Sequence, residues 1–102
     1  MSFADTLRNE VNDRKNEIIA NRFAPNKEAL LNTIAAGIKR LGYVQIDTSG
    51  CNTGTMEGCQ LGVHRGEVEA FADFVTAEGF VVSRRWWGYS ADGEPDILKI
   101  RL

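Results

Sequence analysis

Leu30, Leu31, Ile34, Ala35, Ile38 and Leu41 recur at helical spacing on one continuous apolar face, and Gly42 follows where such a helix needs a left-handed residue to stop. No other segment of the 102 residues restricts the fold as strongly, because a helix with one apolar face must bury it against a second layer. Asn26, just after Pro25, is placed to cap the start of this helix. Directly beyond Gly42, Tyr43-Val44-Gln45-Ile46-Asp47 alternates as a strand does, and supplies the opposing layer.

A chain of this length is one ordinary domain, too short for two independent cores, with a helical part over 2–41 and a sheet-containing part over 43–102. With 43% hydrophobic and 25% charged residues it has the composition of a globular protein. Ser2 and Asp5 form a capping-box arrangement for a first helix that runs to about Arg22 or Phe23, where Pro25 stops it. Its apolar positions Phe3, Leu7, Val11 and Ile18 are interrupted by Arg14 and Lys15, so the helix is only half committed to a core.

Val68, Phe71, Ala72 and Val75 specify a third amphipathic helix, closed by Gly79. Phe80 to Tyr89 and Ile97 to Leu102 predict a hairpin across the polar turn Ser90 to Asp96. The polar stretch Thr48 to Gly58 separates the first strand from a shorter one, Gln60 to His64, and the two predict a long-loop hairpin. The order is ααββαββ, an α+β domain whose antiparallel sheet is covered by helices on one face; Leu98, Ile100 and Leu102 point one way and Lys99 and Arg101 the other. Leu41-Gly42-Tyr43-Val44 is echoed by Glu78-Gly79-Phe80-Val81, a similarity that the shared helix-to-strand chemistry accounts for without a duplication.

Arg84-Arg85-Trp86-Trp87-Gly88-Tyr89 holds both tryptophans and two cations on one predicted strand, which makes Arg84, Arg85, Trp86, Trp87 and Tyr89 the candidate partner-binding residues. On a pleated strand Arg84 and Trp86 share one face and Arg85 and Trp87 the other, so an Arg-Trp pair meets solvent in either register. Such a pair suits a protein interface, and equally the stacking of a nucleobase beside phosphate contacts. A purely architectural use is an indole in the core and another packed across the hairpin on Lys99 or Arg101.

His64 and Arg65 precede the third helix and, with Lys99, are secondary anion-binding candidates, although Glu67 and Glu69 already complement the dipole of that helix. A net charge of −2 gives no global attraction for nucleic acid or an anionic membrane, so binding of that kind requires a local basic patch. The start of the chain shows no basic leader followed by an apolar core, and no apolar run spans a bilayer, which predicts a cytoplasmic protein with Cys51 and Cys59 as free thiols.

The loop Gly50 to Thr55 lacks the Lys-Ser/Thr ending of a phosphate-gripping loop. Cys51, Cys59 and His64 fit no common zinc spacing, and no cofactor is implied. A thiol mechanism would draw on Cys51 or Cys59 with His64 and Asp47, but no catalytic spacing supports it, and the expectation is a protein that is not an enzyme. Glu10 and Arg14 form an i, i+4 pair on a solvated first helix, and Leu7, Val11 and Ile18 offer a homodimer seam if the sheet leaves them uncovered.

The final third, Glu78-Gly79-Phe80-Val81-Val82, a turn-bearing strand and the terminal Ile97-Leu98-Lys99-Ile100-Arg101-Leu102, resembles the ends of many small bacteriophage-encoded accessory proteins. The resemblance covers about a third of the chain, excludes the Trp-Trp pair and the cysteine loop, and carries over no functional residue. Such proteins commonly bind and inhibit or redirect a host factor, and some sequester nucleotide signals. It therefore implies a binder, with a host protein as partner and a nucleic acid or nucleotide as the alternative, the latter held by Trp stacking and by Arg84, Arg85, Arg65 and Lys99 on phosphates.

Overall fold

The computed structural model describes residues 2–48, 62–86 and 95–102. Helix α1, Phe3–Ile18, opens on Ser2, whose hydroxyl accepts the Asp5 N–H at 3.2 Å. The Asp5 carboxylate turns instead to Arg8, at 2.7 Å. The other ion pair of this helix joins Lys15 to Asp73 at 3.3 Å, and among the described residues Glu10 and Arg14 form none.

The helix does not end at Ile18. It widens into a π-turn, Ile19–Phe23, in which the Ala24 N–H reaches the Ile19 carbonyl. This i→i+5 bonding inserts about one extra residue into the turn, so that Phe23 takes the inward position that Arg22 would hold in a continuous α-helix. A short 3₁₀ segment, Ala24–Asn26, carries Pro25 through the bend. Asn26 precedes helix α2, Lys27–Leu41, but its side chain does not cap it: the amide Nδ2 donates backwards to the Arg22 carbonyl at 2.9 Å, serving the end of the preceding helix.

Helix α2 buries Leu30 and Ile34 and leaves Leu41 exposed. Gly42 stops it at φ 86°, donating to the Ile38 carbonyl at 2.8 Å, and strand β1, Val44–Asp47, follows. Helix α3, Val68–Ala77, is the most deeply buried element and ends before Gly79 at φ 97°. Strands β2, Val81–Arg85, and β3, Ile97–Arg101, complete an antiparallel sheet of order β1-β3-β2. The α+β class and the terminal hairpin follow the sequence reading.

Most of the hairpin expected to follow β1 lies outside the described residues. Among the described residues β1 pairs with the C-terminal strand, Val44 opposite Ile100 and Ile46 opposite Leu98. Of the short strand expected over 60–64, Gln60 and Leu61 lie outside the described residues, and Val63 is a buried single-bridge residue.

One buried cluster joins Phe23, Leu30 and Ile34 to Val44, Ile46, Leu98 and Ile100 through α3. Phe23 meets Phe71 edge-on at 5.1 Å and stacks on Phe74 at 5.8 Å. Burial of each such ring stabilises the fold by about 1.5–3 kcal/mol. Ile18 packs against the same cluster, whereas Phe3, Leu7 and Val11 remain exposed along the first part of α1. No helix among the described residues is long and apolar enough to cross a membrane.

Candidate binding face of the sheet

Residues directly opposite in an antiparallel pair share a face, so the register assigns every side chain of the sheet to one side or the other. Val82, Ile100 and Val44 form one inward row, and Arg84, Leu98 and Ile46 the next. Arg84 is thereby on the helix-facing side. Its guanidinium holds Glu69 of α3 in two-pronged fashion, Nε to Oε1 at 3.0 Å and Nη2 to Oε2 at 3.0 Å. The hydrogen bond that Arg84 donates to Glu69, against some desolvation, raises the Arg84 pKa above its ordinary value.

The opposite side, free of helices among the described residues, carries Arg85 opposite Ile97, Ser83 opposite Lys99 and Val81 opposite Arg101, with Asp47 and Gln45 of β1 opposite Ile97 and Lys99. Arg85, Lys99 and Arg101 are exposed there. Lys99 Nζ lies 4.4 Å from the centre of the Tyr43 ring, so the cation rests over an aromatic of the neighbouring strand.

Arg84 and Arg85 therefore do not act together. One guanidinium is spent on α3 and the other stands on the outer face. Trp86 follows the end of β2 and is 49% exposed, consistent with the expectation that one indole meets solvent. Trp87 and Tyr89 lie outside the described residues, as do Cys51, Cys59 and the Gly50 to Thr55 loop.

Two of the secondary anion candidates, Arg65 and His64, are drawn into internal work. Arg65 Nη1 donates to the Pro95 carbonyl at 2.8 Å and to Thr48 Oγ1 at 3.1 Å, and lies 3.2 Å from Asp96 Oδ1. Thr48 in turn donates its N–H to the Asp96 carbonyl at 2.7 Å, and the Asp96 N–H reaches the Arg85 carbonyl at 2.9 Å. Arg65 thus ties the end of β1 to the start of β3. Just before α3, the His64 N–H donates to Glu67 Oε1 at 3.0 Å, so a carboxylate already occupies the position expected for an anion.

Comparison with family models, with curated proteins and with solved structures finds no match to the chain. The functional reading rests on the geometry of its own surface.

Beside α3, an open groove of about 340 Å³ is lined by Arg14, Glu17, Asn21, Arg22, Arg65 and Glu67. Its two best-placed cations face carboxylates: Arg22 pairs with Glu67 at 2.7 Å and Arg65 with Asp96. Little positive potential is left over in it. Among the described residues no three His, Cys, Asp or Glu side chains converge to hold a metal ion.

Two residues of the outer face, Arg101 and Tyr43, were not among the candidate site residues. Their signal was present in the alternation Lys99-Ile100-Arg101 and in the position of Tyr43 one residue before Val44, but reading it requires knowing that β1 and β3 are neighbours.

Proposed function

We propose that this chain is a non-enzymatic binding protein that docks on an acidic surface of a host protein in the cytoplasm, as an inhibitor or adaptor, through the helix-free face of its sheet. The observation that carries the reading is that Arg85, Lys99 and Arg101 lie on one face with Asp47 as the acidic residue beside them, in a protein whose net charge is −2. Cations gathered on one surface against the sign of the whole molecule favour an anionic contact there. Trp86 adds a flat, half-exposed apolar surface at the corner where β2 ends. The resemblance of the C-terminal third to phage accessory proteins suggests the inhibitor or adaptor role.

A nucleic acid is the second reading, favoured by Tyr43 with Lys99 above it. Two features weigh against it. The net negative charge opposes a long polyanion, whose field extends beyond any local patch, and Arg84 and Arg65, two of the four expected phosphate contacts, are engaged by Glu69 and Asp96.

The test is capture from a nuclease-treated bacterial lysate with the wild-type chain and with Arg85→Glu/Lys99→Glu, the fold of both verified by circular dichroism. A protein retained by the wild type and lost by the charge-reversed variant supports the reading. Retention of the same protein by both forms removes the outer face as the contact surface. Capture that nuclease abolishes, with steep salt dependence, makes nucleic acid the partner.

A further inference from the structure

Phe3, Leu7 and Val11 lie within about 80° of one another around α1, and all three are exposed, Phe3 to 78%. Ile18 stands on the same stripe and packs against the core, so the core covers only the C-terminal end of the stripe. Glu10 and Arg14, one turn apart, border it. Among the described residues neither has a partner, whereas Arg8 is held by Asp5 and Lys15 by Asp73.

We propose that α1 pairs antiparallel with α1 of a second copy of this chain, each copy setting Glu10 against Arg14 of the other and Phe3 into the groove beside α3 of the other. One register meets both conditions. Setting Glu10 level with Arg14 (10 + 14 = 24) sets Phe3 level with Asn21 (24 − 3 = 21), and Asn21, Ile18 and Arg14 line that groove. Phe3 and Arg14 stand only about 20° apart around the axis, so ring and groove meet on the same side of the helix pair. The groove measures about 340 Å³, and a cavity of about 150 Å³ holds a benzene ring. Ile18 gives it an apolar wall. Its cations Arg22 and Arg65 are already neutralised by Glu67 and Asp96, so covering them with a ring strands no bare charge from either pair.

Charge selects both the orientation and the occupant. Parallel pairing would set Glu10 on Glu10 and Arg14 on Arg14, whereas the antiparallel pair opposes unlike charges twice across its two-fold axis. An anionic membrane is not matched, because α1 carries four acids, Asp5, Glu10, Asp13 and Glu17, against the three cations Arg8, Arg14 and Lys15. Of the remaining acids, Asp13 stands on the reverse side of the helix. Glu17 is exposed, about 60° around from Arg14 at the water-facing edge of the seam, and is the second carboxylate beside that guanidinium.

The experiment is sedimentation equilibrium under reducing conditions on the full chain, on Glu10→Arg, on Arg14→Glu and on an equal mixture of the two variants, the fold of each verified by circular dichroism. Either variant alone opposes like charges at both crossings, and its dimer is expected to be at least about tenfold weaker than that of the wild type. In the mixture a chain with two arginines at these positions meets a chain with two glutamates, and dimerisation is expected to return to within about threefold of the wild type. Because each chain keeps its own like charges one turn apart, only contact between copies explains that recovery. Phe3→Ala is expected to weaken the dimer by about tenfold while leaving the urea midpoint of the dilute monomer unchanged, since the ring is exposed in the single chain. A wild type that stays monomeric up to about 1 mM overturns the proposal. A dimer that both charge reversals leave unchanged overturns it in favour of another surface or a parallel pair, and a mixture that fails to recover overturns the Glu10 to Arg14 crossing. A dimer indifferent to Phe3→Ala overturns the seating of the ring in the groove. The outer face of the sheet is separate from this seam, and capture with Arg85 and Lys99 reversed reads it independently.

Discussion

Glu67 receives both arms of the Arg22 guanidinium, Nε to Oε2 at 2.7 Å and Nη2 to Oε1 at 2.9 Å, across 45 positions of sequence. The same Arg22 Nη2 donates to the Gly62 carbonyl at 2.7 Å. One residue of the π-turn thus fixes both the approach to α3 and its first turn. The π-turn sends Phe23 inward to the aromatic core and leaves Arg22 at the surface beside α3, so the two contacts share one backbone cause.

Burial disfavours the Glu67 carboxylate, but hydrogen bonds from Arg22 and from the His64 amide, with the Arg22 charge, outweigh it and hold its pKa below the ordinary value. Because the folded value is the lower one, the pair contributes stability above the unfolded carboxylate value of about 4.3, and loses it as pH falls through the folded value. Glu67→Gln is expected to reduce the unfolding free energy at pH 7 by about 1–3 kcal/mol. Urea titrations at several pH values should show the gap between wild type and variant narrowing from pH 5 to pH 3; a constant gap would assign the loss to packing.

Removing Arg65 strips a cation from Asp96, which is 7% exposed, and withdraws the donor to Thr48 and Pro95. Arg65→Met is expected to cost about 3 kcal/mol, as breaking a largely buried pair does. Arg8→Ala, which breaks the solvent-exposed pair with Asp5, is expected to cost less than about 0.5 kcal/mol. Chemical denaturation of the two variants side by side measures the contrast.

Gly37 permits α2 to lie close against β1. A Cβ at this position would fall inside the contact radius of Val44 Cγ2. Gly37→Ala should therefore destabilise by about 1–3 kcal/mol, although the same change in an exposed helix stabilises by about 1 kcal/mol. Val44→Ala in the same chain is expected to recover part of the loss. Thermal unfolding of the single and double variants decides this, and additivity would disprove the contact.

The two neighbouring arginines of β2 should separate cleanly. Arg84→Ala breaks a partly exposed pair with Glu69 and is expected to lower stability by about 0.5–1 kcal/mol, leaving partner binding unchanged. Arg85→Glu is expected to abolish binding with the fold retained. Trp86→Ala, at a half-exposed position, should weaken binding with a stability change below about 1 kcal/mol. Calorimetric titration with the captured partner, beside urea unfolding, tests all three.

Much of the architecture was legible without coordinates. The apolar spacing of Leu30 and Ile34, the run from Val68 to Val75 and the alternation of Leu98 and Ile100 are local patterns, and each side chain lies on the face its period assigns. Gly42 and Gly79 stop helices because only the left-handed region turns the chain there, and both adopt it. Leu102, expected beside Leu98 and Ile100, is exposed because the pairing ends at Arg101.

The candidate site was less legible, for a definite reason. In β2 the two alternating sets, Val82-Arg84 and Val81-Ser83-Arg85, each mix apolar and charged side chains, so period two alone cannot say which faces the helices. The pairing of Val82 with Ile100 decides it. Which cations stay on the outer face is likewise a tertiary outcome, since Glu69 claims Arg84, Asp96 claims Arg65 and Glu67 claims Arg22 from 15, 31 and 45 positions away in sequence (84 − 69, 96 − 65, 67 − 22). Sequence by itself determined the helices, their stops and the strands, because these depend on contacts within a few residues. Only the tertiary structure decided the faces and the ion pairs, because register and ion pairing depend on distant segments being brought together.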